Sequence, residues 1–299
     1  MSYKGEWIKL LGNADFMLNA TVNAPNNTIN FFGRGNETPF VKSGDFKRYY
    51  RTRFNTYQID PSLGWRNNKG GSISIGPSFQ RYSFDSSDNE GRFINNTGLI
   101  KSYDSLTLGK DKLHAGVVLN LRRDKRNDQL LPAWGSMLSL KVQGYKGLNS
   151  YSKSFIQILP EVAVYRSLNR SSTIVLADRV GGGITLGKTA FYQSMFLGGH
   201  NNLLGYRQYR FAGQHMVYNN LEMRVKVSDF ANYILPGQIG LLAFYDTGRV
   251  WEENEESDRW HHGTGGGLYF APARVTLFRL LAGYSKEGWL PFVAMNFRF

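Results

Sequence analysis

The sequence predicts an all-β chain: an antiparallel transmembrane β-barrel of about twelve strands, with fourteen to sixteen as the alternative. Three observations predict it. Side chains alternate apolar and polar with period two along many segments. One side of those segments is too polar to pack sheet on sheet, and they run to about ten residues, the length a tilted strand needs to cross a bilayer. No run of about 18 apolar residues occurs, so a membrane-spanning helix is excluded. In hydrocarbon every backbone N–H and C=O must be paired, and a closed barrel pairs them while its lumen stays polar.

The elements follow in order. Residues 1–12 read as a linker or a partial first strand, and 13–299 as the barrel domain. Strand 13–23 sets Phe16, Leu18, Ala20 and Val22 against Asp15, Met17, Asn19, Thr21 and Asn23. Strand 45–58 comes next, and strand 70–84 sets Ile73, Ile75, Pro77 and Phe79 against Ser72, Ser74, Gly76, Ser78 and Gln80. Strand 112–122 is followed by 133–146, where Leu138, Leu140 and Val142 oppose Ser139, Lys141 and Gln143. Strands 153–167 and 172–186 lead to 214–228, the clearest of all. There Val217, Leu221, Met223, Val225 and Val227 share one face, and Met216, Tyr218, Asn220, Glu222, Arg224 and Lys226 the other. Strands 236–250, 262–272, 274–285 and 289–299 complete an even set.

Turn chemistry supports the junctions at Asn67-Asn68-Lys69-Gly70-Gly71, at 146–150 and at Lys286-Glu287-Gly288, and 271–273 suits the periplasmic side. Polar stretches at 24–44, 84–111, 187–213 and 251–261 read as long extracellular loops. Trp65, Trp134, Tyr145, Trp251, Trp260 and Trp289 fall near strand ends, where rings with a polar handle suit the lipid–water interface.

Composition removes other classes. Cysteine is absent, which excludes a disulfide scaffold, Cys-ligated metal and a thiol nucleophile. With 41% hydrophobic residues the chain is too rich for intrinsic disorder. No enzyme site emerges. His114, His200, His215, His261 and His262 show no metal-ligand spacing, and the last two would point to opposite faces of a strand. The triple glycines 181–183 and 265–267 lack the Lys-Ser/Thr of a phosphate cradle and read as close packing within strands. No cofactor or metal is expected. Lys and Arg number 36 against 23 Asp and Glu, giving +13. Aromatics interleave with cations in 46–54, but in a barrel these cations face the lumen, anionic lipid or lipopolysaccharide rather than nucleic acid. The first residues show no basic region followed by an apolar run, so the chain reads as a mature or excised fragment.

In 289–299, Phe299, Phe297, Met295 and Val293 share one face and Arg298, Asn296 and Ala294 the other. A terminal Phe on such a strand resembles the assembly signal of bacterial outer-membrane barrels, read by strand addition at the assembly machinery.

Residues 196–213, with Leu203, Leu204, Gly205, Tyr206, Arg207 and Arg210, resemble the sixth extracellular loop of the bacterial surface antigen superfamily, the group of BamA, TamA and the two-partner-secretion transporters. The resemblance continues upstream in Asp124-Lys125-Arg126-Asn127-Asp128 with Pro132-Ala133-Trp134-Gly135. It continues downstream in 219–224 and in Phe244-Tyr245-Asp246-Thr247-Gly248. Together these motifs cover roughly the last 190 residues in the right order.

The resemblance implies that the loop folds into the lumen and that a motif Arg pairs with carboxylates on the inner wall, here Glu222 and Asp246, beside Gly248. This sequence has Leu204 where the family has that Arg. Two unpartnered lumenal carboxylates would be costly or protonated, so Arg207 or Arg210 is expected to supply the charge. Residues 30–38 also resemble a segment of Bacteroidota barrels fused behind a calcineurin-like phosphoesterase, whose metal-binding domain this chain lacks. The resemblance therefore implies an integral outer-membrane protein acting in translocation or insertion of a polypeptide client, or in export of an attached N-terminal domain. The alternatives are a closed anchor for a metallophosphoesterase and a passive, anion-leaning pore.

Overall fold

A computed structural model describes residues 1–230, 236–273 and 275–299. The chain is all-β. In order the strands are β1 (Ser2–Leu11), β2 (Ala14–Asn30), β3 (Arg51–Arg66), β4 (Gly71–Ser83), β5 (Lys112–Asp124), β6 (Gly135–Gly147), β7 (Phe155–Ser167) and β8 (Ile174–Gly187). Two short strands follow, β9 (Met195–Leu197) and β10 (Phe211–Gly213). Then come β11 (His215–Phe230), β12 (Gly237–Trp251), β13 (His261–Pro272), β14 (Phe278–Ser285) and β15 (Gly288–Met295). All but β9 and β10 form one 13-stranded antiparallel meander, β8 pairing directly with β11, while β9 and β10 pair with each other.

Burial is inverted relative to a water-soluble sheet. On β11, Asn220 and Glu222 are fully buried, whereas Leu221 and Met223 are 37% and 42% exposed. The same inversion on β4 leaves Ile73, Ile75 and Phe79 exposed and Ser78 buried. An apolar exterior around a polar interior is what hydrocarbon outside and water inside demand.

The structure changes several expectations. The main sheet has thirteen strands rather than twelve, because Ser2–Leu11 pairs with β2. Phe46–Tyr49 is a helical turn, capped by the Asp45 side chain accepting from the Arg48 N–H, so β3 begins at Arg51 and runs on to Arg66. Tyr145 points into the lumen, where its hydroxyl lies 2.8 Å from Ser78 Oγ, so it is not an interfacial ring. The last strand stops at Met295. Asn296 takes a left-handed φ of 66° and donates to the Leu277 carbonyl, turning 296–299 inward. Phe299 is therefore buried, and it shares no outward face with Val293 and Met295. The expected start of strand 274–285 lies partly outside the described residues.

Long loops gather at one end, which is the outer end, and pack there. Phe31, Phe32, Tyr50, Phe54, Phe93 and Phe191 lie in one buried cluster joining loops 31–50, 84–111 and 188–210. Arg34 Nε meets Glu252 Oε2 at 2.8 Å, and Asn36 donates to Ser257 and to the Arg259 carbonyl. Segment 30–38 is thus a tie within a cap over the outer mouth. Burial raises the Glu252 carboxyl above its ordinary range, and Arg34 beside it pulls the other way.

No ladder joins β1 to β15 among the described residues, so the sheet is not closed. Every neighbouring pair is antiparallel and the count is odd, so the two edge strands run in the same direction, from the outer end to the inner.

Candidate functional site

The candidate site is the lumenal wall formed by β7, β8 and β11–β14, with a loop seated on it. The loop leaves and re-enters as the β9–β10 hairpin, and its tip, 198–210, reaches into the lumen. Leu203, Leu204 and Tyr206 are buried to within 2%. Asn202 braces the tip: its side chain accepts from the Gly198 N–H and donates to the Phe196 carbonyl, and its own carbonyl accepts from Asn220.

The wall has been cleared for this backbone. A methyl group at Gly263 would overlap the Leu204 carbonyl oxygen, and one at Gly283 would crowd the Gly205 backbone. Gly205 itself turns at φ 91°, a region L side chains rarely adopt. At Gly248 the Leu197 side chain occupies the space a Cβ would need. Ser285 Oγ then donates to the Gly205 carbonyl at 2.7 Å.

Glu222 and Asp246 lie where the loop seats, and both are fully buried. Asp246 Oδ2 accepts from the Leu204 backbone N–H at 2.7 Å. The charge that neutralises it comes from neither Arg207 nor Arg210. Arg210 turns toward the cap, where it meets Glu287 at 2.5 Å and Thr38 at 2.7 and 2.8 Å. Arg207 lies over the rings of Phe46 and Phe40. The Leu204 side chain packs with Leu242, Phe244 and Leu281, so this loop offers the wall an apolar side chain and a backbone donor.

Arg298 supplies the charge. Its Nη1 lies 2.6 Å from Asp246 Oδ2 and its Nη2 3.7 Å from Glu222 Oε2. Arg224 Nε takes the other Glu222 oxygen at 2.6 Å, and Arg279 approaches at 3.9 Å. Phe297 covers the Arg224 guanidinium at 3.5 Å, while Phe299 packs on Arg179 and Tyr165. Segment 296–299 is thus an interior part of the dock. Sequence reasoning placed Arg298 on the polar face of its strand but gave it no role, since the inward turn after Met295 depends on tertiary packing.

The motif at 124–135 is an ordered inner turn. Asp124 accepts from Arg126 at 2.7 and 2.9 Å, and Asn127 Oδ1 accepts from the Ala133 and Trp134 N–H groups. His261 and His262 do point to opposite faces: His261 stacks on Phe211 inside, and His262 meets the Tyr245 hydroxyl outside.

A transmembrane-type sheet with a loop seated through its backbone on a buried lumenal carboxylate defines a class: integral outer-membrane barrels with a docked extracellular loop. Residues 10–284 match the Omp85 superfamily domain, and the chain belongs to that superfamily. It is an integral protein of the outer membrane. Among solved structures, BamA from Haemophilus ducreyi lacking POTRA domains 1-3 aligns with TM-score 0.67 at 15% identity, covering 99% of this chain and 61% of that one. CdiB from Acinetobacter baumannii aligns with TM-score 0.61 at 12% identity, over 99% and 49% of the two chains. CdiB from Escherichia coli aligns with TM-score 0.52 at 13% identity, over 95% and 49%. These likenesses show the fold, and this chain spans about half to three-fifths of those structures' length. No curated protein matches the sequence.

Proposed function

We propose that this barrel inserts or translocates polypeptide by accepting a strand of its client at the seam between β1 and β15. One observation carries the reading: among the described residues no ladder joins β1 to β15, so β15 presents an unpaired edge running from the outer end to the inner. An exposed edge in hydrocarbon leaves backbone groups without partners, which is strongly disfavoured. A client strand running inner to outer is antiparallel to β15 and satisfies the backbone groups of its edge. Family membership supports the same direction, as do the structural likenesses to BamA and CdiB barrels.

The clustered rings and ion pairs of the cap favour a closed outer mouth over a passive pore. The reading as an anchor for an attached phosphoesterase rests on 30–38, and that segment has a structural role in tying the cap.

Because the chain has no cysteine, the seam can be locked selectively by placing one cysteine in β1 and one in β15 and bridging them with a bifunctional maleimide. Liposomes carrying the barrel are expected to speed insertion of an unfolded barrel polypeptide relative to empty liposomes. The lock is expected to return the rate to the empty-liposome value. A locked barrel as active as the open one would defeat the seam reading.

A further inference from the structure

Beside the dock, a cavity of about 330 Å³ opens between Arg179, Arg279, Arg298 and Tyr218 and reaches β15 at Ala294 and Met295. Among side chains the dock sets four guanidinium groups, those of Arg179, Arg224, Arg279 and Arg298, against the carboxylates of Glu161, Glu222 and Asp246, and Glu161 also lines the cavity, where it meets Arg179. The donors left unmet lie on its other side. Arg279 Nε and Nη1 and Arg298 Nε and Nη2 are buried with no hydrogen-bond acceptor among the described residues. Both side chains are at least nine-tenths buried. Among the described residues Arg279 has one ion-pair contact there, Glu222 at 3.9 Å, and that carboxylate already serves Arg224 and Arg298. A buried donor without an acceptor is costly, and a guanidinium is the side chain best shaped to receive a carboxylate.

Register says where an acceptor would come from. Arg279 lies directly across the ladder from Ala294, and both point inward. Ala294 carries only a methyl group, so the space beside Arg279 stays open toward the free edge of β15. A strand laid along that edge presents the residue paired with Ala294 to the same inner face.

We infer that the cavity is a specificity site for a carboxylate side chain, an Asp or Glu that the incoming strand carries at the position pairing with Ala294. This rests on the seam reading above and names the class of strand the seam prefers. The carboxylate accepts from the unmet donors of Arg279 and Arg298, whereas Lys at that position brings a further cation beside them.

The test uses the intact barrel in detergent with Val293→Cys, an outward position next to the register in question. Ten-residue peptides of alternating polarity carry a cysteine to pair with it and Asp, Asn or Lys opposite Ala294. Disulfide joining is expected to be about ten-fold faster for the Asp peptide than for the Asn peptide, with Lys slowest. Arg279→Gln is expected to erase the advantage and Arg279→Lys to keep most of it. Equal rates for Asp and Asn would overturn the inference and leave the seam reading standing. Joining of no peptide would defeat both. Excess acetate separates a strand-borne carboxylate from a free anion. The Asp advantage is expected to survive it, because the strand delivers its carboxylate at high effective concentration. Loss of the advantage in acetate would mark a free-anion site and remove the client assignment.

Discussion

Arg298 stands at the centre of the dock at the residue scale, since it neutralises Asp246 directly and Glu222 in part. Removing one partner of a buried pair leaves the other uncompensated, which typically costs about 3–5 kcal/mol. Arg298→Ala is expected to expose loop 196–213 to protease, and adding Leu204→Arg to that variant is expected to restore part of the resistance. In the native background Leu204→Arg brings a further cation beside Arg298 and is expected to destabilise. Those opposite signs are the check, as proteolysis half-lives in a double-mutant cycle would read them.

The cap offers a second prediction. Burial outweighs Arg34 in setting Glu252, so the folded carboxyl binds its proton more readily than the unfolded one. The cap's stability should therefore grow as pH falls through the folded value toward the ordinary carboxylate range, and Glu252→Gln should be mild. Arg34→Ala strands a buried carboxylate and should loosen the cap more. Protease sensitivity of loops 31–50 and 252–260 at neutral and mildly acid pH measures both.

Glycine placement on the strands sets where the loop runs at the element scale. A methyl at Gly263 meets backbone rather than a movable side chain, so Gly263→Ala should shift the loop and cost about 1–3 kcal/mol. Gly98→Ala, in the helical turn Thr97–Ile100 with open space around it, is the neutral control. Heat-modifiable gel mobility compares them. The strands were legible in the sequence because period-two alternation is local: β4, β6 and β11 fall within a few residues of expectation. The inward faces of Glu222 and Asp246 were legible for the same reason. β1 was less so, since it alternates weakly and its pairing with β2 is a tertiary fact. The helical turn at Phe46–Tyr49 was hidden by aromatics that read equally well as a strand. The source of the dock's positive charge was illegible, because Arg298 reaches Asp246 from 52 positions away in sequence and only through the turn at Asn296.

For the molecule as a whole, the cap and the dock close the lumen from the outside while the lateral seam stays open. Planar-bilayer recordings are expected to show low conductance that rises on deleting loop 84–111. A large steady conductance in the intact chain would contradict a sealed mouth. The free edge of β15 then imposes a heading on whatever completes the wall. Because β15 runs from the outer end to the inner, a guest strand laid antiparallel against it must travel outward from the periplasm, its N-terminal end at the inner rim.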